Sequence, residues 1–249
     1  MTTQPVVRQL GAPIAGAFLL LGIWSLGAIL AGPAALPDPI AVVRRLLAEV
    51  ADGDVMIAAG ATTGVSILGS ALGLLVAFPL GYLMAHSRWA AAALNPYVAA
   101  SQAIPAVAIA PLLALWFGYG LTPRALLCAA MVFFPILLNT VLGLTGVDSE
   151  VVDAARMDGA DRMRLLISVQ GPMALPALLT GIRNGFVLSV TGAVVGEFVI
   201  GGSGLGELLS IYRDRADTVG MFATLLVLAA IAVGFNLAIR GLERTLRWW

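Results

Sequence analysis

Apolar runs long enough to cross a lipid bilayer recur along this sequence and limit what it can fold into. The first runs from Leu10 to Ala31 without a charged side chain, and a helix needs about 20 apolar residues to span the hydrocarbon core. Hydrophobic residues make up 60% of the 249-residue chain and charged residues 11%, whereas a typical soluble domain is about a quarter charged. We therefore predict an all-α membrane protein with about six transmembrane helices.

The remaining predicted spans are separated by short polar or proline-rich breaks. Their approximate limits are 55–85, 91–119, 125–144, 172–200 and 218–239. Between the first two spans, Ile40–Val50 is predicted to be a short amphipathic helix on the outer surface, with Arg44, Arg45 and Glu49 on its polar side. No segment has the composition of a separate soluble domain, so residues 1–249 are predicted to form one domain.

Several classes of function are disfavoured by the composition. The net charge is zero, which gives no case for nucleic-acid binding. Cys128 and His86 are the only residues of their kinds, so neither a metal cluster nor a nucleophile–base pair is expected, and His86 is predicted to be a solvated loop residue. The glycine-rich segment 201–206 follows a span and lacks a βαβ setting, so we predict a flexible outer turn and no bound cofactor.

One stretch between two apolar runs is densely charged. Eight charged residues fall between Asp148 and Arg164, so this loop must project into water. Its residues predict a short helix before Gly159 and a second helix over about 160–169. Two interpretations are open at this point: a docking element for a soluble partner, or a merely solvated loop that joins two spans.

The spacing within this loop resembles the "EAA" loop of binding-protein-dependent ABC transporter permeases. That pattern reads E-A-A, three residues, G, nine residues, then I-x-L-P. Its positions are occupied here by Asp153, Ala154, Ala155, Gly159, Val169 and Pro172. Aspartate replaces the usual glutamate, and Gly171 stands where leucine is usual. In the family this loop forms the coupling helices that dock on a cytoplasmic ATPase subunit.

A second stretch, from Ser101 to Gly120, resembles the nitrate, sulfonate and taurine branch of the same family. That branch carries a similar "PIP…APL…WFG.G" run, and the sequence here reads S-Q-A-I-P-A-V-A-I-A-P-L-L-A-L-W-F-G-Y-G. Pro105 and Pro111 preclude a straight helix and free backbone carbonyls, which is tolerated where the backbone faces protein or a water-filled cavity. The segment is predicted to line a translocation path, with a structural kink as the alternative.

Seven residues are the candidates for that path. They are Ser101, Gln102, Pro105, Pro111, Asn139, Arg183 and Glu197. Charged side chains inside a membrane span are rare and usually functional. Arg183 and Glu197 would lie about 21 Å apart along one helix, so they cannot pair with each other there and would have to pair across helices or across a dimer interface.

The family resemblance implies the permease subunit of an ATP-driven ABC importer with a type I fold, with core homology over about residues 55–241 and a coupling loop over 148–172. It implies a second permease copy, most simply in a homodimer, together with cytoplasmic ATPase subunits that bind ATP-Mg and an extracytoplasmic solute-binding protein. No phosphate-binding loop occurs in this sequence, so the chain is not expected to be an enzyme. The implied substrate is a nitrate-, sulfonate- or taurine-like anion, with a thiamine-pyrimidine-type vitamin precursor as the alternative.

The distribution of arginines predicts the orientation. Eight fall on the side of the termini and the charged loop, Arg8 and Arg247 among them, and five on the other side. This bias favours cytoplasmic termini in a bacterial inner membrane, with lipid around the spans. A secondary transporter driven by an ion gradient would be expected to carry more intramembrane carboxylates and inverted repeats, and it stays a less favoured alternative, as does a membrane-embedded enzyme.

Overall fold

The computed structural model describes residues 6–246, with side chains described from Ala15 to Thr245, and every regular element in this range is helical. The helices are α1 Val6–Ala31, α2 Pro39–Asp52, α3 Asp54–His86, α4 Arg88–Gln102, α5 Ala106–Phe117, α6 Leu121–Thr145, α7 Ser149–Met157, α8 Arg162–Leu165, a π-helix Leu166–Gln170, α9 Gly171–Ile200, α10 Leu205–Asp214 and α11 Thr218–Leu246. Arg8 and Arg247, which entered the predicted orientation, lie outside the described side chains.

The chain divides into two compact units. The first contains the residues up to Met56 together with Leu208–Val227, so it holds α1, α2, most of α10 and the first part of α11. The second contains Ile57–Glu207 and the chain from Leu228 onward, so it holds most of α3, the helices from α4 to α9 and the rest of α11.

Four helical segments are long and apolar enough to cross a membrane: Asp54–His86, Leu121–Thr145, Arg162–Ile200 and Thr218–Thr245. Helices α4 and α5 meet at a bend of 96° and count as a fifth if they form one broken span. In α1 the described side chains give a shorter apolar helix, Ala15–Ala31. The described residues therefore confirm the predicted all-α membrane fold.

In the second unit, α6 packs between two helices that present glycines to it. From α3, a Cβ added at Gly73 would approach the Ala129 carbonyl oxygen to 2.9 Å, and one at Gly81 would approach the Thr140 side chain to 2.8 Å. Small residues let membrane helices approach this closely. These two glycines therefore serve helix packing, whereas a Cβ at Gly64 would have no atom within 4 Å.

Helix α9 approaches α6 from another side, through glycines spaced four, seven and four residues apart. They are Gly181, Gly185, Gly192 and Gly196. A Cβ at Gly181 would lie 2.6 Å from the Asn139 Cβ, and one at Gly185 would lie 2.9 Å from the Val132 Cγ1. Because these spacings keep one helix face, α9 offers α6 a stripe without side chains along much of its length.

The predicted break in the third span is confirmed. Helix α4 ends at Gln102 and α5 begins at Ala106, with Pro105 in an extended conformation as its N-cap residue. Pro96 and Pro111 lie inside their helices without interrupting them. The bend therefore falls at one of the three prolines, where the missing N–H and the restricted residue before it both disfavour a continuous helix.

The start of the fourth span differs from the prediction. The predicted span begins at about residue 125, but α6 begins at Leu121 and includes residues 122–124. Pro123 fits there because the first-turn N–H groups have no intrahelical acceptor to lose. Arg124 reinforces this end, since its Nε donates to the Gly120 carbonyl at 2.8 Å.

In the first unit, the proline-rich break after α1 is held by specific contacts. The Trp24 indole donates to the Pro37 carbonyl at 3.0 Å, and its ring lies 5.8 Å from that of Phe222. Asp38 caps α2 by accepting from the Ile40 and Ala41 amides, so the predicted short helix is confirmed. Glu49 pairs with Arg45 on the predicted polar side, but it is buried there, with 8% of it exposed.

Candidate coupling loop and intramembrane polar sites

The first helix of the charged loop, α7, is defined by its caps. Asp148 accepts from the Glu150 amide at 2.9 Å and opens the helix, which runs from Ser149 to Met157. Asp153 and Arg156 form an exposed ion pair at 2.9 Å on its surface. Such a pair contributes little stability in water, so these side chains remain available to a partner.

Gly159 has a conformational requirement. Its φ of +83° lies in the left-handed region, and a Cβ there would have no atom within 4 Å. Glycine is therefore needed for the backbone bend and not for lack of space. After the bend Asp161 accepts from the Arg164 amide at 2.7 Å and caps the next helix. The predicted first helix and glycine bend are thus present, and a helix follows them.

The second helix of the loop is not a separate element as predicted. Helix α8 passes through the π-helix Leu166–Gln170 directly into α9, so residues Arg162–Ile200 form one apolar segment. Gly171 N bonds to the Leu166 carbonyl five residues earlier, and a Cβ at Gly171 would approach that oxygen to 2.6 Å. Glycine, the departure from the family pattern, therefore fits the wide π turn just before Pro172, which has no N–H to donate.

The loop has one face against the spans and one face open. Val152 and Leu165 are buried within the second unit, to which the loop belongs, and Val169 is half-buried. Four apolar side chains point outward instead, namely Val151, Met157, Met163 and Ile167, and Met157 is 87% exposed. Large apolar side chains exposed on a charged, water-facing loop mark an interaction surface, and we call these four residues the loop face.

A cavity of about 480 Å³ lies between the end of α3 and the charged loop. It is lined by Tyr82, Leu83, His86, Ser87, Arg156, Ala160, Asp161, Arg162, Leu165 and Gln170. His86 is exposed, as predicted, but it ends α3 and does not lie in a loop, and its Nε2 lies 3.0 Å from Gln170 Oε1 while its Nδ1 lies 3.0 Å from the Tyr82 carbonyl. This contact ties the end of α3 to the π-helix, and no spacing in the sequence signals it.

The predicted path residues of the broken span differ in exposure. Gln102, Pro105 and Pro111 are exposed, and Ser101 is half-buried with its hydroxyl donating to the Val98 carbonyl at 3.0 Å. Three of them therefore face outward from the second unit at or near the bend. Their predicted role as path-lining residues stays a prediction.

Two further path candidates have partners inside the unit. Asn139 donates from Nδ2 to the Pro135 carbonyl at 2.7 Å, one turn earlier in α6. Arg183 on α9 lies 3.5 Å from Glu243 on α11. Arg183 therefore pairs across helices and not with Glu197, as expected. Both Asn139 and Arg183 thus have a polar partner although they lie in apolar helices.

Glu197 lies in a buried cluster with Thr62, Leu205 and Gly206, and no pattern in the sequence indicates the role of Thr62. The carboxylate accepts from the Gly206 amide at 2.9 Å and from the Thr62 hydroxyl at 2.9 and 3.0 Å to its two oxygens. The same hydroxyl accepts from the Leu205 amide at 2.9 Å. Glu197 is 1% exposed, so these contacts favour a structural role, while its predicted role in the path remains untested.

This cluster also corrects the expectation of a flexible outer turn. A side chain at Gly204 would collide with the Glu197 carboxylate, and one at Gly202 would collide with the Arg124 guanidinium. Two backbone amides after the turn are already hydrogen-bonded to the cluster. The glycines are thus required by close approach to two charged side chains, and the turn is held in place.

The fold and the loop together define a polytopic helical membrane protein with a water-facing helix–glycine–helix element. Residues 69–248 match the family described as the binding-protein-dependent transport system inner membrane component. The chain belongs to this family, and it is an ABC importer permease. The predicted resemblance is thereby confirmed.

The relatives that match nearly the whole chain are named for the transport of different substrates. The riboflavin transport system permease protein RibX of Chloroflexus aurantiacus is 44% identical and covers 96% of this chain and 90% of its own. The formylaminopyrimidine transport permease protein ThiX of Halalkalibacterium halodurans is 32% identical, with 93% and 92% covered. The taurine transport system permease protein TauC of Escherichia coli is 30% identical, with 98% and 92% covered.

A solved structure shares the fold. The chain aligns with a subunit of the MetNI methionine ABC transporter, in its inward-facing conformation, with a TM-score of 0.69 and 19% sequence identity. The match covers 77% of this chain and 95% of that subunit. At this identity the likeness supports the predicted type I importer fold.

Proposed function

We propose that this chain translocates a small vitamin-like heterocycle, and that cytoplasmic ATPase subunits drive it through the loop face. The loop face supports the ATPase docking, because its four exposed apolar side chains lie on both sides of the Gly159 bend along a charged loop. An ATPase subunit docked there would bury them, and its closure on ATP binding would move α7 and the continuous α8–α9 segment together. The chain itself supplies the path and the coupling, while ATP-Mg is bound by the partner.

The rest of the proposed assembly follows the family pattern. A second copy of this chain completes the path, and an extracytoplasmic binding protein delivers the solute. The termini and the loop face lie on the cytoplasmic side, and alternating access results when the spans rock about a central cavity. Ser101, Gln102, Pro105 and Pro111 border this cavity at the bend between α4 and α5.

The heterocyclic substrate rests on sequence identity to named relatives. The riboflavin permease is 44% identical and the formylaminopyrimidine permease 32% identical, each over more than nine-tenths of this chain. A taurine- or sulfonate-like anion is the second candidate, supported by the 30% identical taurine permease and by the Ser101–Gly120 run. The two candidates differ in size and charge, so the delivering protein can distinguish them.

The substrate test uses the binding protein captured with this chain. Cross-linking in native membranes followed by mass spectrometry identifies that protein, which is then purified and titrated by calorimetry with riboflavin, a formylaminopyrimidine and taurine. We expect heat of binding with one of the heterocycles and none with taurine. Taurine binding without heterocycle binding would overturn the substrate proposal and support the anion.

The path is tested with a cysteine at the bend. Wild-type Cys128 is fully buried, so it serves as an unreactive internal background for Gln102→Cys. In the assembled transporter we expect a membrane-impermeant thiol reagent to label Gln102→Cys, with the rate changing when ATP is added. Absence of labelling in both conditions would remove the bend from the path.

A further inference from the structure

Helix α2 carries an apolar stripe on the side that points away from the protein. The stripe consists of Ile40, Val43, Leu47 and Val50, whose exposed fractions are 61%, 48%, 63% and 43%. Their spacing of three, four and three residues places them on one helix face. Four large aliphatic side chains exposed together on one helix indicate a surface that something covers.

The opposite side of α2 is fixed by a polar cluster. The Glu49 cluster comprises Arg45, Glu49, Tyr212 and Asp217. Glu49 Oε1 accepts from the Tyr212 hydroxyl at 2.6 Å and from Arg45 Nε at 2.7 Å, and Arg45 also lies 3.3 Å from Asp217. The Arg45 guanidinium lies 5.7 Å from the centre of the Tyr212 ring.

These contacts fix the rotation of α2 about its own axis. Burial raises the pKa of the Tyr212 hydroxyl, and its hydrogen bond to Glu49 raises it further, so the hydroxyl stays a donor at neutral pH. A buried carboxylate is costly unless its partners are kept. Rotating the stripe inward would carry Glu49 away from Tyr212 and Arg45 away from Asp217, so the cluster holds the stripe outward.

The position of α2 in the chain puts this stripe beside a membrane. Only Gly53 separates α2 from α3, a segment long and apolar enough to cross the bilayer, and residues 32–38 separate it from the apolar α1. Both ends of α2 are therefore tied to the level where the spans reach the surface. Arg44 is exposed along the border of the stripe, where a long basic side chain can reach the headgroups.

We propose that α2 lies in the plane of the membrane, with its Ile40, Val43, Leu47 and Val50 stripe seated at the boundary between lipid headgroups and acyl chains. The Glu49 cluster sets the rotation that this placement needs. A bilayer is favoured over a protein partner because the stripe adjoins a spanning helix at one end and an apolar helix at the other. It also has a basic residue at its edge, as surface-lying membrane helices do.

The test is spin-label accessibility in reconstituted liposomes. Nitroxides are placed at Val43→Cys and Leu47→Cys on the stripe, and at Asp52→Cys, an exposed position on the polar side, in a Cys128→Ala background. Collision rates are measured with oxygen, which concentrates in lipid, and with a water-soluble nickel chelate. We expect both stripe labels to favour oxygen several-fold and the Asp52→Cys label to favour nickel.

Two outcomes would overturn the lipid placement. Strong nickel collisions at Leu47→Cys would show that the stripe faces water or a soluble partner. Low collision rates with both reagents, together with broadening from a neighbouring label, would show that a second copy covers it. Adding Tyr212→Phe tests the cluster separately. The difference in oxygen and nickel collision rates between the Leu47→Cys and Asp52→Cys labels should then shrink, because the rotation of α2 is no longer fixed. An unchanged difference would contradict the part assigned to the cluster.

Discussion

At the scale of single residues, hydrogen-bond partners decide which polar side chains serve structure. Thr62 is fully buried, and its one hydroxyl serves both the Glu197 carboxylate and the Leu205 amide. Replacing it would leave a buried amide and a carboxylate short of a partner. Such orphaned groups cost far more than the net gain from one ordinary hydrogen bond.

Thr62→Val should therefore destabilise the purified chain by about 1–3 kcal/mol. Its matched control is Thr63→Val, since Thr63 is the next residue of α3, is half-buried, and makes no hydrogen bond shown among the described residues. Thermal unfolding in detergent measures both variants. Equal midpoints for the two variants would contradict the bracing role of Thr62.

Gly159 tests the bend of the coupling loop at the same scale. With φ at +83° and open space around it, Gly159→Ala should strain the bend by about 1–2 kcal/mol without any clash. We expect normal membrane insertion and reduced ATP-driven uptake. Gly241→Ala is the control, because Gly241 lies inside α11 and also has open space; uptake reduced equally in both variants would exclude a specific effect of the bend.

At the scale of helices, composition and proline positions allow most of the elements to be predicted. Contacts between helices that lie far apart in the chain could not be predicted in this way. The apolar runs gave the spanning segments, Pro105 marked the break between α4 and α5, and Gly159 separated the loop helices. The continuity of α8 with α9 was missed because Pro172 and Pro176 are ordinary signals for a helix start. A π turn at Leu166–Gln170 accommodates the first of them, and local sequence does not specify such a turn.

The polar clusters could not be predicted because their members lie far apart in the chain. Glu197 was recognised as an intramembrane charge, but its partner Thr62 is 135 residues away. Glu49 was predicted on the polar side of α2, but helical periodicity alone cannot say that a neighbouring helix buries it there. The residue that contacts Glu49 from a neighbouring helix is Tyr212, 163 residues later in the chain, whose hydroxyl donates to the Glu49 carboxylate.

The close approach of α3 to α6 gives a prediction at this scale. Gly73→Leu would drive a side chain toward the Ala129 carbonyl oxygen, which an added Cβ alone would approach to 2.9 Å. Overpacking of this kind costs about 1–3 kcal/mol or more. A Cβ added at Gly64 on the same helix would have no atom within 4 Å, so Gly64→Leu is the matched control. In detergent, we expect a lower unfolding temperature for Gly73→Leu than for Gly64→Leu, and the reverse order would contradict the packing described for α6.

At the scale of the whole molecule, the chain is a family member, and its proposed function depends on partners that bind it. The family assignment gives the ABC importer permease, whereas the loop face is where this chain offers a partner an apolar surface. The charged loop, the continuous α8–α9 segment and the glycine contacts with α6 connect that surface to the spans. A movement imposed at α7 would thus be transmitted through packed helices.

The most direct test of the central claim is photo-crosslinking from the loop face in native membranes. A photoreactive amino acid replaces Met157, which is 87% exposed, and in a matched variant it replaces Asp52, an exposed residue predicted to lie on the opposite side of the membrane. We expect an ABC ATPase subunit to be cross-linked at position 157 and none at position 52. No ATPase at position 157, or an ATPase captured equally well at position 52, would contradict it.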